Sequence, residues 1–184
     1  RSSAASDVYK RQHPTNGSLL GMTARSETTV TINQPAEKVA EAYATQAYWE
    51  FIAEKLSPEP GQLHEFTGDT ATLFEVLPKS ILPEAAQAMI SQDLKLKRVV
   101  NIGKLDGTTA KHTFTGDVKG TPVDFSGEIT MTGEGDITTL AYDNEAKVDI
   151  PFMGAALEPK VAEALEEIVE NEAKLTEQWI AENL

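Results

Sequence analysis

Two hydrophobic rhythms divide the chain. From Leu94 to Ile150 apolar and polar residues alternate, and from Leu157 to Leu184 apolar residues recur at intervals of three and four. Alternation marks strands with one buried and one wet face, whereas the three-and-four spacing gathers side chains on one side of a helix. In the final segment Leu157, Val161, Leu165, Ile168, Leu175 and Trp179 form the apolar stripe, interrupted only at Glu172. Glu158, Glu163, Glu166, Glu167 and Glu170 crowd the opposite face, which must be solvated.

Upstream, Ser26 to Ile32 is β-rich and ends at Asn33-Gln34-Pro35, with Asn33 as the expected helix cap and Pro35 in the first turn. The following PAEKVAEAYA places Val39, Ala42 and Tyr43 on one helical face. A second short helix begins at Tyr48-Trp49 and stops before the breaker cluster Ser57-Pro58-Glu59-Pro60-Gly61. Leu63 to Phe66 and Ala71 to Leu77 pair across Gly68-Asp69. Pro78 to Ser91 reads as a short helix or ordered loop. The strands Leu94–Ile102, Thr109–Val118, Val123–Thr132 and Ile137–Ile150 are separated by Asp106-Gly107, Gly120-Thr121-Pro122 and Gly133-Glu134-Gly135. Such short connections require antiparallel neighbours. The fold expected is α+β of helix-grip type: a curved antiparallel sheet of six to seven strands around a long C-terminal helix, with two short helices after the first strand.

Strand parity then selects the inward side chains. They are Leu94, Leu96, Arg98, Val100 and Ile102; His112, Phe114, Gly116 and Val118; Val123, Phe125, Gly127, Ile129 and Met131; and Leu140, Tyr142, Asn144, Ala146, Val148 and Ile150. Arg98, His112 and Asn144 are therefore polar groups on the buried side, and Glu172 joins them from the helix. A buried guanidinium without a partner costs several kcal/mol. Arg98 must meet a carboxylate, water or an anionic ligand, and Glu172 and Glu75 are the carboxylates available. Either Arg98 and Glu172 pair structurally at the rim of a cavity, or a bulge turns Arg98 outward, or Arg98 anchors the head group of an amphiphile such as a fatty acid.

The opening VTINQPAEKVAEAYA with Tyr48-Trp49, the Leu77-Pro78 and Leu82-Pro83 pair, FTGDVKGTPVDFSGEI and the tail VDIPFMGAALEPKVAEALEEIVENEAKLTEQWI resemble the START-like, or birch-pollen-allergen-like, superfamily, and within it an uncharacterised bacterial family. The resemblance spans residues 24–182. It implies a deep apolar cavity under the C-terminal helix that holds a lipid, fatty acid, polyketide or other apolar small molecule. Residues expected to meet that ligand are Arg98, His112, Phe114, Phe125, Ile129, Tyr142, Asn144, Leu165, Ile168 and Glu172. The same architecture serves cyclases and dehydratases, for which His112, Tyr142 and Glu172 are the acid–base candidates, and also protein-interaction modules. No nucleophile–base pair is visible, so the sequence assigns no catalytic residue. Pro151-Phe152-Met153-Gly154 is either a turn that aligns the helix or a hinge, and the Pro78–Ile90 insert is a second candidate lid.

Composition narrows the alternatives. At 184 residues and 40% hydrophobic content the chain supports one domain with a real core. With no cysteine and three histidines lacking ligand spacing, neither a metal nor another cofactor is expected. The net charge of −13 disfavours nucleic acid and adsorption to anionic membranes. No run of 18 apolar residues supports stable membrane insertion. RSSAASDVYKRQ resembles cloning or sequencing-adapter read-through. Residues 1–21 are accordingly expected to be a non-native or disordered extension, with Met22 as the natural start and 22–184 as one domain. Arg1, Lys10, Arg11 and Asp7 together contribute +2, so residues 22–184 carry −15. No signal-like apolar core is present in that opening, and a cytoplasmic location is expected.

Overall fold

The computed structural model describes residues 22–77, 84–88, 94–148 and 154–184. Seven strands, β1 (Met22–Ile32), β2 (Gln62–Phe66), β3 (Thr70–Leu77), β4 (Leu94–Asn101), β5 (Thr109–Val118), β6 (Val123–Glu134) and β7 (Ile137–Val148), form one antiparallel sheet. Its order is β1-β7-β6-β5-β4-β3-β2, so the first strand closes against the last while β2 is the far edge. Helices α1 (Ala36–Tyr43) and α2 (Gln46–Lys55) fill the connection between β1 and β2. A four-residue helix, α3 (Glu84–Gln87), lies between β3 and β4. Helix α4 (Gly154–Asn183) follows the sheet. The rest of the Pro78–Ser91 segment, together with Asp149–Met153 and its hinge-like Pro151-Phe152-Met153, lies outside the described residues, as do residues 1–21.

The parity reading holds on β4 to β7 wherever side chains are described; Val148's side chain and Ile150 lie outside that set. In β5 burial alternates without a break, with Ala110, His112, Phe114, Gly116 and Val118 inward. Arg98 is inward but only partly covered, with a side chain 12% exposed. The registers bring Phe114, Gly127 and Asn144 into one row, and His112, Ile129 and Tyr142 into the next. Gly127 is required in its row, because a Cβ there would collide with the Phe114 ring and stand 2.8 Å from Asn144 Oδ1.

Two details depart from the sequence expectation. Asn33 does not cap α1: the N-cap is Pro35 and no side chain caps the helix. The Asn33 backbone N–H instead donates to Glu177 Oε1 at 2.6 Å, tying the chain between β1 and α1 to α4. The buried face of α4 is also rotated from the expected stripe. Val169, Glu172, Ala173, Thr176, Trp179 and Ile180 are buried, whereas Leu165, Ile168 and Leu175 are only half-buried. The side chains of Leu157 and Val161 fall outside the described set. The rotation sets Thr176 and Trp179 against Tyr48 of α2.

The C-terminal half of α4 carries the firm contacts. Trp179 meets Tyr48 edge-on at 5.5 Å between ring centroids, and Tyr48 in turn packs on Trp49 and Tyr43 at 4.9 and 5.6 Å. Trp49 Nε1–H donates to the Tyr43 carbonyl at 2.8 Å, locking α2 onto the end of α1. Thr176 Oγ1 donates to the Glu172 carbonyl at 2.7 Å, which commits its single proton, so Tyr48 must be the donor in the 2.6 Å Tyr48–Thr176 contact. Pro159, one turn and a half into the helix, has no N–H for the Ala155 carbonyl and so leaves the opposite half with one bond fewer. Urea titration should show Trp179→Ala destabilising by about 3–5 kcal/mol, and Leu165→Ala by less than half as much. Equal losses at the two positions would contradict this division of the helix.

Candidate functional site

A cavity of about 400 Å³ lies between the concave face of the sheet and the middle of α4. Its floor is apolar: Leu96 and Val100 from β4, Phe114 from β5, and Phe125 and Ile129 from β6. Its roof is the half-buried stretch of α4, Ala164, Leu165 and Ile168, with the buried Val169 beside it. Lys55, Pro58, Glu167 and Asn171 line it and are exposed, so the mouth lies where the end of α2 faces α4.

One ion cluster stands in this apolar setting. Arg98 and Glu75 are diagonal neighbours on adjacent strands, because Leu73 pairs with Arg98 and Glu75 with Leu96. Both therefore point inward within reach of each other. Arg98 Nε donates to Glu75 Oε1 at 2.6 Å. Arg98 Nη1 lies 2.9 Å from Glu172 Oε1 and donates to Glu172 Oε2 at 3.1 Å. The sheet and the long helix are thus joined through one guanidinium. Burial by itself lowers the Arg98 pKa, but Glu172 and Glu75 outweigh it and the net direction is up. For Glu172 burial is the larger influence and raises its pKa; Arg98 opposes this and Glu75 adds to it.

Tyr43 and Tyr142 line the same end of the cavity, and burial raises the pKa of both phenols. Glu172 raises both further, while Arg98 pulls them back. Tyr43 packs on His112, which shares its cross-strand row with Ile129 and Tyr142. Among the described residues neither hydroxyl has a hydrogen-bond partner.

Eight of the ten residues expected from sequence line the cavity: Arg98, Phe114, Phe125, Ile129, Tyr142, Leu165, Ile168 and Glu172. His112 and Asn144 do not, although both are buried as parity requires. His112 Nδ1 accepts the Gly103 backbone N–H at 3.0 Å, which puts the ring proton on Nε2, and the ring packs against Tyr43. Among the described residues no carboxylate touches His112. Its burial pushes the pKa down to about 4, so it is neutral at physiological pH. Asn144 sits behind the Phe114 ring, next to Gly127. Tyr43, Trp49, Leu77 and Gly116 also line the cavity and are absent from the expected set. The sequence places Tyr43 on the apolar face of its helix, but nothing local distinguishes a side chain facing a hollow from one facing solid core.

These elements define a helix-grip protein of START-like fold with a hollow, largely apolar interior. The chain belongs to the family described as proteins of unknown function, DUF2505, whose model matches residues 27–180. No curated protein matches the sequence significantly. Among solved structures, a protein from Thermus thermophilus is 17% identical, with 87% of this chain and 97% of that one covered and a TM-score of 0.58. The ZhuI aromatase/cyclase from Streptomyces sp. R1128 is 12% identical over 86% of this chain and 94% of that one, with a TM-score of 0.59. A START superfamily protein from Mycobacterium smegmatis is 13% identical over 84% and 98%, with a TM-score of 0.52. At these identities the likeness is one of fold. Among the described residues no helix is long and apolar enough to cross a membrane.

Two measurements check the energetics. Arg98→Met leaves two buried carboxylates facing each other and should cost about 3–5 kcal/mol, whereas Glu172→Gln keeps Arg98 on Glu75 and should change stability by about 1 kcal/mol or less. A comparable loss in both variants, measured by urea titration, would contradict the cluster's role. Because the folded pKa of His112 lies below its ordinary 6.5, its contribution is complete above pH 6.5 and is lost as pH falls toward 4. At about 1.4 kcal/mol per pH unit that amounts to about 3 kcal/mol. His112→Asn retains an acceptor for Gly103 and should lose correspondingly less stability between pH 6.5 and 4; an unchanged pH profile would go against this origin.

Proposed function

We propose that the protein binds a small hydrophobic molecule in the cavity beneath α4, as a carrier or sensor. The observation that carries this is the apolar hollow of about 400 Å³, roofed by the half-buried part of the helix and reaching the surface beside α2. Its size falls within the range of about 300–1,000 Å³ usual for small-molecule sites, toward the lower end. Burying about 250 Å² of hydrocarbon there contributes roughly 6 kcal/mol at ~25 cal/mol/Å², enough for micromolar binding after modest ordering losses. The fold shared with an aromatase/cyclase and a START superfamily protein supports small-molecule binding as the use of the hollow. Of the three acid–base candidates, His112 stands outside the lining and is a poor base. Tyr142 and Glu172 line the cavity and Glu172 is held by Arg98, which gives an acid–base reaction less support than binding.

Ala164 faces the void from the helix, so Ala164→Trp fills space without displacing packed core. Displacement of Nile red should show at least a tenfold loss of binding in this variant, with a melting temperature equal to or above that of the parent. Unchanged dye binding in Ala164→Trp, or native mass spectrometry and dye titration both showing no guest in the parent, would defeat the proposal.

A further inference from the structure

Resting on that reading, we infer that the cavity selects uncharged amphiphiles, bearing a hydroxyl or carbonyl, over carboxylates of the same chain length. Among the described residues Arg98 is the only basic side chain lining the inner wall, since Lys55 stands exposed at the mouth. Its charge is already matched twice over, by Glu75 at 2.6 Å and Glu172 at 2.9 Å. With all three ionised the cluster carries one net negative charge. A guest carboxylate would lose its hydration, meet no uncompensated cation and face two acids. Burial, with Glu75 nearby, pushes the Glu172 pKa up against the pull of Arg98, the direction expected where negative charge is poorly solvated.

Arg98 Nη2 has no hydrogen-bond partner among the described residues, but it is buried and its charge is already matched. Beside it the wall offers a pair of neutral hydroxyls. Tyr43 and Tyr142 come from α1 and β7, line the cavity beside the cluster, and have no hydrogen-bond partner among the described residues. Both phenols titrate above their ordinary value and stay protonated at neutral pH. A phenol both donates and accepts, so the pair suits a guest hydroxyl or carbonyl. Such a guest keeps its polar end hydrogen-bonded while its hydrocarbon lies along Phe114, Phe125 and Ile129 toward the helix.

The test is competition of decanol and decanoate against Nile red at pH 8, where free decanoate is ionised. Decanol should displace the dye at a concentration at least tenfold lower than decanoate. The double change Tyr43→Phe with Tyr142→Phe should weaken decanol about five- to tenfold, narrowing its advantage. The double change Glu75→Gln with Glu172→Gln frees the Arg98 charge and should strengthen decanoate at least tenfold. Should that variant not fold, Glu172→Gln alone should still shift the ratio toward decanoate. Decanoate binding the parent as tightly as decanol, or no gain for decanoate when carboxylates are removed, overturns the inference while leaving hydrophobic binding intact. Failure of dye and both competitors to bind overturns the cavity reading itself.

Discussion

The structure turns on a single guanidinium. Arg98 is one of the few charges on the concave face, and it is tolerated there because a strand neighbour and a residue of the closing helix both supply carboxylates. An isolated charge in that position would be expensive, and so would either acid without it. Each member therefore makes the others admissible, and meeting that condition fixes the helix across the sheet. A purely apolar interface would bury area but leave the helix freer to slide. The cluster adds position to adhesion, and it does so beside open volume, where side-chain interlocking cannot.

The aromatic group formed by Tyr43, Tyr48, Trp49 and Trp179 complements it from the end of α4. Hydrogen bonds of defined direction run through it, from Trp49 to the Tyr43 carbonyl and from Tyr48 through Thr176 to the Glu172 carbonyl. The backbone of the residue that grips Arg98 is thus held by the same hydroxyl chain that joins α2 to α4. Adhesion and alignment meet at residue 172.

Much of this is visible in the sequence, for physical reasons. Strand alternation is a local property, so the inward positions of β5, β6 and β7 can be read residue by residue, and the polar exceptions Arg98, His112 and Asn144 stand out against it. The rule that a buried cation needs partners then points to Glu75 and Glu172. What escapes is relational. Both His112 and Asn144 are inward, but inward on a curved sheet means either core or cavity, and only the placement of Tyr43, Gly103 and Phe114 decides which. The helix stripe is displaced for a similar cause: hydrophobic spacing favours leucines, whereas the recorded contacts with α2 are made by Thr176 and Trp179. Asn33 follows the capping preference of its residue type, yet Glu177, distant in sequence, claims its backbone N–H.

The uneven grip on α4 gives the helix two unlike stretches. Buried contacts gather around residues 172–180, the side chains lining the void run from 164 to 172, and the two stretches meet at Glu172. Substitutions at 164–168 can therefore alter the chamber with the anchorage untouched, whereas any change at Glu172 alters both. The helix is thus fastened at one end and open to remodelling at the other, with a single acid where wall and anchor coincide.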